Sequence, residues 1–125
     1  MGTIFQIPDN PSVGELQHLL TTCSNQIATL TDLVATYKAD AAIKTTAFKR
    51  EVARATVKYR HDGTAAVVKA LVEIDAEVIA AGNECDNAEA IYGLAKAELD
   101  GYEAHFVALR KISELRKTEM RSFGS

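Results

Sequence analysis

The chain has 125 residues, which suits one domain and leaves no room for two of ordinary size. Its 14 basic and 17 acidic residues give a net charge of −3, which excludes a strongly basic nucleic-acid-binding protein as a description of the whole chain. With 47% hydrophobic and 25% charged residues, the composition is typical of a globular protein and argues against wholesale disorder.

The two cysteines, Cys23 and Cys85, are too few for a disulfide-stabilised fold, so we interpret them as buried thiols in a reducing compartment. No apolar run approaches the roughly 20 residues that span a bilayer, and the N-terminus lacks the features of a secretory signal. These observations predict a cytoplasmic protein without a membrane partner.

The first eleven residues differ from the rest of the chain. Residues 3–8 form a short apolar segment that ends at a proline, which predicts an N-terminal arm or short strand within residues 1–11. Ser12 and Glu15 then form the S-x-x-E pattern that starts a helix. Both prolines lie before this point, so none interrupts a helix afterwards.

Two stripes of apolar residues predict two long helices. In each stripe the steps alternate between three and four residues, from Leu16 to Tyr59 and from Leu71 through Ile74 to Ile112. The Asp62-Gly63 pair between them predicts a turn near residues 61–64. We therefore expect an all-α, coiled-coil-like antiparallel hairpin over residues 12–121, with helices at 12–60 and 64–121 and a tail at 122–125.

If the two stripes face each other, they form one apolar seam between the helices. Other apolar residues lie beside the stripes, where this seam cannot bury them, and they predict self-association. They are Leu19, Leu33, Ile43, Val57, Val68, Val72, Ile79, Ile91, Val107 and Leu115. In the alternative arrangement, the long helices break near Lys44 and Gly82 and fold into a bundle within one chain.

No residue pattern predicts catalysis. The three histidines are far apart in sequence, and the chain contains neither a Cys-x-x-Cys pair, nor a His-x-x-x-His pair, nor a glycine-rich phosphate-binding loop. The sequence therefore predicts a non-enzymatic protein with no catalytic residue, no metal site and no cofactor.

The charge is strongly segregated along the chain. Residues 1–37 sum to −3, residues 38–60 to +5, residues 61–103 to −8 and residues 104–125 to +3. The small net charge therefore hides two basic blocks and one strongly acidic one.

The first basic block has helical geometry. Arg50, Arg54 and Lys58 are four residues apart and share one helix face, with Lys49 and Arg60 beside it. Such a row of cations needs negative partners, and two are possible: the phosphates of a nucleic acid, or the acidic residues Glu73, Asp75 and Glu77 of the returning helix. The candidate DNA-binding residues are Lys49, Arg50, Arg54, Lys58 and Arg60.

The order of these features resembles that of a known family. The basic stretch at residues 49–60 runs into a glycine-containing turn, and a long helix follows and ends in Met120-Arg121-Ser122-Phe123. Over residues 37–124 this resembles the phage recombination mediator proteins of the UvsY type and their small helical relatives. The resemblance implies a homo-oligomer in the host cytoplasm that binds single-stranded DNA. It also implies help to a RecA-like recombinase in displacing single-strand-binding protein. The DNA-binding role would fall on the five basic residues.

A function of a different class competes with this one. The same helices would suit a structural or adaptor protein that binds other proteins and no nucleic acid. A secreted hairpin of the WXG kind is disfavoured, because its Trp-x-Gly turn is replaced here by His61-Asp62-Gly63.

Overall fold

The computed structural model describes residue 7 and residues 10–124, almost all of them in three α-helices. They are α1 (Val13–Tyr59), α2 (Ala65–Glu73) and α3 (Ala76–Gly124), and no strand occurs among the described residues. The long helix α1 packs against α3 as a hairpin, which confirms the predicted all-α fold class. Most of the arm or strand expected within residues 1–11 lies outside the described residues.

Helix α1 begins at the predicted capping pattern. The Glu15 N–H donates to the Ser12 hydroxyl oxygen at 3.1 Å, and the Ser12 hydroxyl donates to the Glu15 carboxylate at 3.2 Å. The Ser12 side chain thus satisfies one of the N–H groups that the first turn of a helix leaves without a partner.

The helices contribute to two compact units, the first formed by Met1–Val34 with Ala95–Ser125. Its core repeats every seven residues on both helices, as a coiled-coil seam does. The buried residues are Leu16, Cys23 and Leu30 on α1 and Tyr102 and Leu109 on α3. Within this core the Cys23 thiol donates to the Tyr102 carbonyl oxygen at 3.2 Å.

The second unit, Ala35–Leu94, contains the end of α1, all of α2 and the start of α3. Its buried residues Ala55, Val72 and Val78 come one from each helix. Here α3 runs antiparallel to α1, with Lys44 near Glu84 and the Thr45 hydroxyl 3.4 Å from the Cys85 sulfur. This unit holds all five candidate DNA-binding residues.

The prediction of one continuous helix over residues 64–121 is wrong, because the chain leaves the helix at Ile74 and Asp75. Asp75 caps α3, since its carboxylate accepts hydrogen bonds from the N–H groups of Glu77 and Val78 at 3.0 and 3.2 Å. An aspartate favours this position over a helix interior. Ile74 is therefore 70% exposed instead of lying on the apolar stripe.

The two breaks considered from the sequence do not occur. Both Lys44 and Gly82 lie inside continuous helices. The interruption at Ile74 and Asp75 instead separates the short helix α2 from α3. At its other end, α3 continues to Gly124, through three of the four residues expected to form a tail.

Both cysteines are buried and free, as expected. Burial also raises the pKa of the Cys23 thiol, which keeps it in the less reactive protonated form. We expect a thiol reagent at neutral pH to label both residues much more slowly in the native protein than in denaturant. Rapid labelling of both in the native protein would contradict this core.

Candidate functional site

The structure brings the five candidate cations to the end of α1. Lys49, Arg50 and Lys58 are exposed residues of the helix, and Arg60 is exposed immediately after it. The Arg54 side chain is 37% exposed, because it reaches towards the start of α3. The predicted stripe therefore exists, but Arg54 is partly buried whereas Arg50 and Lys58 are exposed.

Arg54 contacts three carboxylates. Its Nε donates to Glu51 Oε2 at 2.7 Å, and its Nη2 lies 2.8 Å from Asp75 Oδ1 and 2.9 Å from Glu77 Oε2. The hydrogen bond to Glu51 raises the pKa of the guanidinium. The hydrogen bond to Asp75 and the negative charges of Asp75 and Glu77 raise it further, against the opposing effect of burial. The charge of Arg54 is therefore compensated within the chain.

Asp75 is the centre of this network and is only 7% exposed. It accepts hydrogen bonds from Arg54, from the two N–H groups of α3 that it caps, and from the Tyr59 hydroxyl at 2.9 Å. Burial alone would raise the pKa of its carboxyl group. The hydrogen bonds from Tyr59, the Val78 N–H and Arg54, together with the charge of Arg54, outweigh burial and hold the pKa below its usual value.

We call this network the polar clasp, and it ties α1 to the junction between α2 and α3. Its members are Glu51, Arg54, Tyr59, Asp75 and Glu77. Sequence analysis placed Tyr59 on the apolar seam and did not anticipate the bond from its hydroxyl. Arg54 therefore connects α1 to the N-terminal end of α3.

Of the two partners considered for the stripe, the structure shows intramolecular pairing for two cations. Arg54 pairs with Asp75 and Glu77, and Lys58 Nζ lies 4.0 Å from Asp75 Oδ2. Glu73, the third acid considered, makes no ion pair among the described residues. The other three candidate cations, Lys49, Arg50 and Arg60, also make no ion pair among the described residues.

A groove of about 810 Å³ beside the clasp was not anticipated. Each helix contributes residues three or four apart, so one face of each helix lines it. Its apolar lining includes Phe48, Val52, Val68, Val72, Val78 and Ile79. Gly82 leaves room for Phe48, since a Cβ at that position would lie 3.2 Å from the ring. Recognising the groove required the packing of three helices, which no local pattern reveals.

We call this the α2 groove, because α2 forms one of its walls. Four charged residues lie around it. They are Arg60, Lys69, Glu73 and Asp86. All four are exposed, and no ion pair among the described residues involves any of them. The groove thus combines an apolar lining with uncompensated charges of both signs.

Most of the apolar residues expected to lie outside the seam are exposed. Seven of the ten are exposed, namely Leu33, Ile43, Val57, Ile79, Ile91, Val107 and Leu115. Leu19 and Val68 are half-buried. The expectation is wrong for Val72, which α2 directs into the core of its unit. Both long helices therefore carry large apolar side chains in contact with solvent.

The part of the chain that the structure describes contains neither a metal-binding cluster nor a membrane-spanning helix. No group of three histidine, cysteine, aspartate or glutamate residues there could hold a metal ion. No helix there is long and apolar enough to cross a bilayer.

Comparison with known proteins assigns no family to the chain. No protein-family model, no curated protein and no solved structure matches it. The resemblance of residues 37–124 to the phage recombination mediators therefore stays a hypothesis from the sequence, and the function has to be inferred from the clasp, the groove and the exposed apolar residues.

Proposed function

We propose that this chain is a non-enzymatic structural or adaptor protein that acts by binding protein helices, including those of further copies of itself. The observation that carries this proposal is the exposure of large apolar side chains along α1 and α3, seven of them at positions outside the seam. A helix that packs over these side chains would remove them from water, which favours association with other chains.

The polar clasp also favours protein binding over DNA binding. A phosphate backbone would have to compete for Arg54 with three carboxylates, one of which belongs to a buried aspartate. Compensated cations contribute little to the counterion release that drives nucleic-acid binding. Arg54 and Lys58 therefore serve the fold first.

A second candidate function is the one that the sequence resemblance implies, a recombination mediator that binds single-stranded DNA and assists a RecA-like recombinase against single-strand-binding protein. It is favoured by one observation, the exposure of Lys49, Arg50 and Arg60 without an ion pair among the described residues. These three cations would then carry the DNA contacts.

Self-association is tested by light scattering on the full chain over a dilution series. The protomer mass is 13.5 kDa. We expect at least twice that mass at micromolar concentration, falling towards the protomer mass on dilution. A constant mass of one protomer across the series would remove self-association from the proposal.

A further inference from the structure

In the first unit, α3 exposes large apolar side chains on the side that faces away from α1. Tyr102 and Leu109 belong to the buried core, and Val107 and Leu115 lie on the opposite side of the helix. These two side chains are 51% and 64% exposed. We call this side the α3 outer face. Its members, all exposed and within roughly 100° around the helix axis, are Lys96, Ala97, Asp100, Ala104, Val107, Lys111, Glu114 and Leu115.

The four charges of the α3 outer face make no ion pair among the described residues. From the N-terminus their signs alternate, in the order Lys96, Asp100, Lys111 and Glu114. Read from the C-terminus, the face presents the opposite sign at each step. A second copy laid antiparallel on this face therefore meets every charge with an opposite one, whereas a parallel copy in register opposes like charges.

Both pairs of opposite charges require the same register. Lys96 and Glu114 are centred on residue 105, and Asp100 and Lys111 are centred between residues 105 and 106. A twofold axis at this point places each member of a pair beside the other member in the second copy. No charged residue of the face lies at the centre, so the symmetry brings no like charges together.

The apolar members of the face fit this register as well. With the axis between residues 105 and 106, Val107 lies opposite Ala104 of the second copy, and Leu115 lies opposite Ala97. Each large side chain thus meets a small one, which lets two helices approach closely and interdigitate. The contact removes two exposed apolar side chains of each copy from water, which favours association.

We propose that a second copy of this chain packs its α3 outer face antiparallel on that of the first. Asp100 of each copy pairs with Lys111 of the other, and Lys96 pairs with Glu114. This inference rests on the proposed function and names the partner and the surface. It leaves the α1 core and the clasp intact, because no member of the face belongs to either.

The test uses two charge reversals in the full chain, Asp100→Lys and Lys111→Glu, at about 50 mM salt to limit screening. Each variant alone places two like-charge pairs in the symmetric dimer, so we expect its self-association to weaken about tenfold. An equimolar mixture of the two variants restores opposite charges at both contacts. The mixture should therefore form a heterodimer with about the affinity of the parent, measured by light scattering.

Matched controls for the charges are Lys38→Glu and Asp40→Lys, which make the same changes at exposed positions of α1. They should associate like the parent, alone and mixed. Circular dichroism verifies that every variant retains its helix content.

A second pair of variants tests the apolar contact without changing the charge. Leu115→Gln should weaken association, because it removes the large side chain that lies over Ala97. Ile43→Gln is its matched control, since Ile43 is 65% exposed on α1 and Leu115 is 64% exposed. The control should associate like the parent.

Two results would overturn the inference. The first is that Asp100→Lys and Lys111→Glu associate as the parent does, or that mixing them restores nothing. The second is loss of association in Ile43→Gln with retention in Leu115→Gln. In either case an oligomeric parent would associate through another surface, and the proposed function would survive. If the parent is itself a monomer, both the inference and self-association fail.

Discussion

Replacing Asp75 with alanine is expected to lower the melting temperature by roughly 5–10 °C, because it removes the N-cap of α3 and the central acceptor of the polar clasp together. Arg54 would lose one of its three carboxylates, and the Tyr59 hydroxyl would lose its acceptor. Thermal melting followed by circular dichroism measures the change.

The matched control for Asp75 is Glu73→Ala. Glu73 is an acid two residues earlier that is exposed and has no ion pair among the described residues. Its removal should leave the melting temperature within about 2 °C of the parent, since surface substitutions usually change stability little. Equal effects of the two substitutions would show that the clasp does not stabilise the junction.

The clasp also predicts a pH dependence. The folded pKa of Asp75 is below its usual value, so its contribution to stability is fully present above the unfolded pKa of about 3.9. That contribution is lost as the pH falls through the folded pKa. Between pH 7 and pH 2 the melting temperature of Asp75→Asn should therefore fall less steeply than that of the parent. Parallel curves would contradict the assigned pKa shift.

The triple reversal of Arg50, Arg54 and Lys58 to glutamate is expected to lower the melting temperature by more than about 10 °C, even in the absence of DNA. It places a further carboxylate among Glu51, Asp75 and Glu77 and removes the cation that compensates them. Like charges at such short range, beside a buried aspartate, are strongly unfavourable.

A second triple reversal separates this effect from the change in net charge. Lys49, Arg50 and Arg60 to glutamate alters the charge by the same amount at positions without ion pairs among the described residues. We expect this variant to melt within a few degrees of the parent. Equal melting temperatures for the two triple variants would mean that the clasp has no special role.

The helices themselves were predictable because their signals are local and periodic. The seven-residue spacing of Leu16, Cys23 and Leu30 predicted one side of a core, and Ser12 with Glu15 predicted the start of α1. The helix interruption at Asp75 was missed because the apolar stripe continues through Ile74. Only the contacts of Asp75 with α1 show that a cap is formed there.

The candidate site was only partly predictable, because it depends on contacts between helices that are distant in sequence. An antiparallel hairpin predicts that the basic block lies beside the acidic block, so pairing between them could be foreseen as one of two alternatives, although the structure places Arg54 beside Asp75 and Glu77. Which cations pair depends on side-chain reach. Arg54 contacts the acids of α3, whereas Arg50, one turn earlier on the same face, makes no ion pair among the described residues. The α2 groove arises from three helices and has no signature in any one of them.

The central claim is that this protein binds protein helices and not DNA, and that Arg54 and Lys58 of the basic stripe serve the fold. The most direct measurement is the fluorescence anisotropy of labelled single-stranded DNA titrated with the full chain at about 50 and 200 mM salt. We expect no saturable binding at either concentration. Saturable binding at low salt that weakens at high salt, and that disappears in the Lys49, Arg50 and Arg60 triple reversal, would contradict the claim.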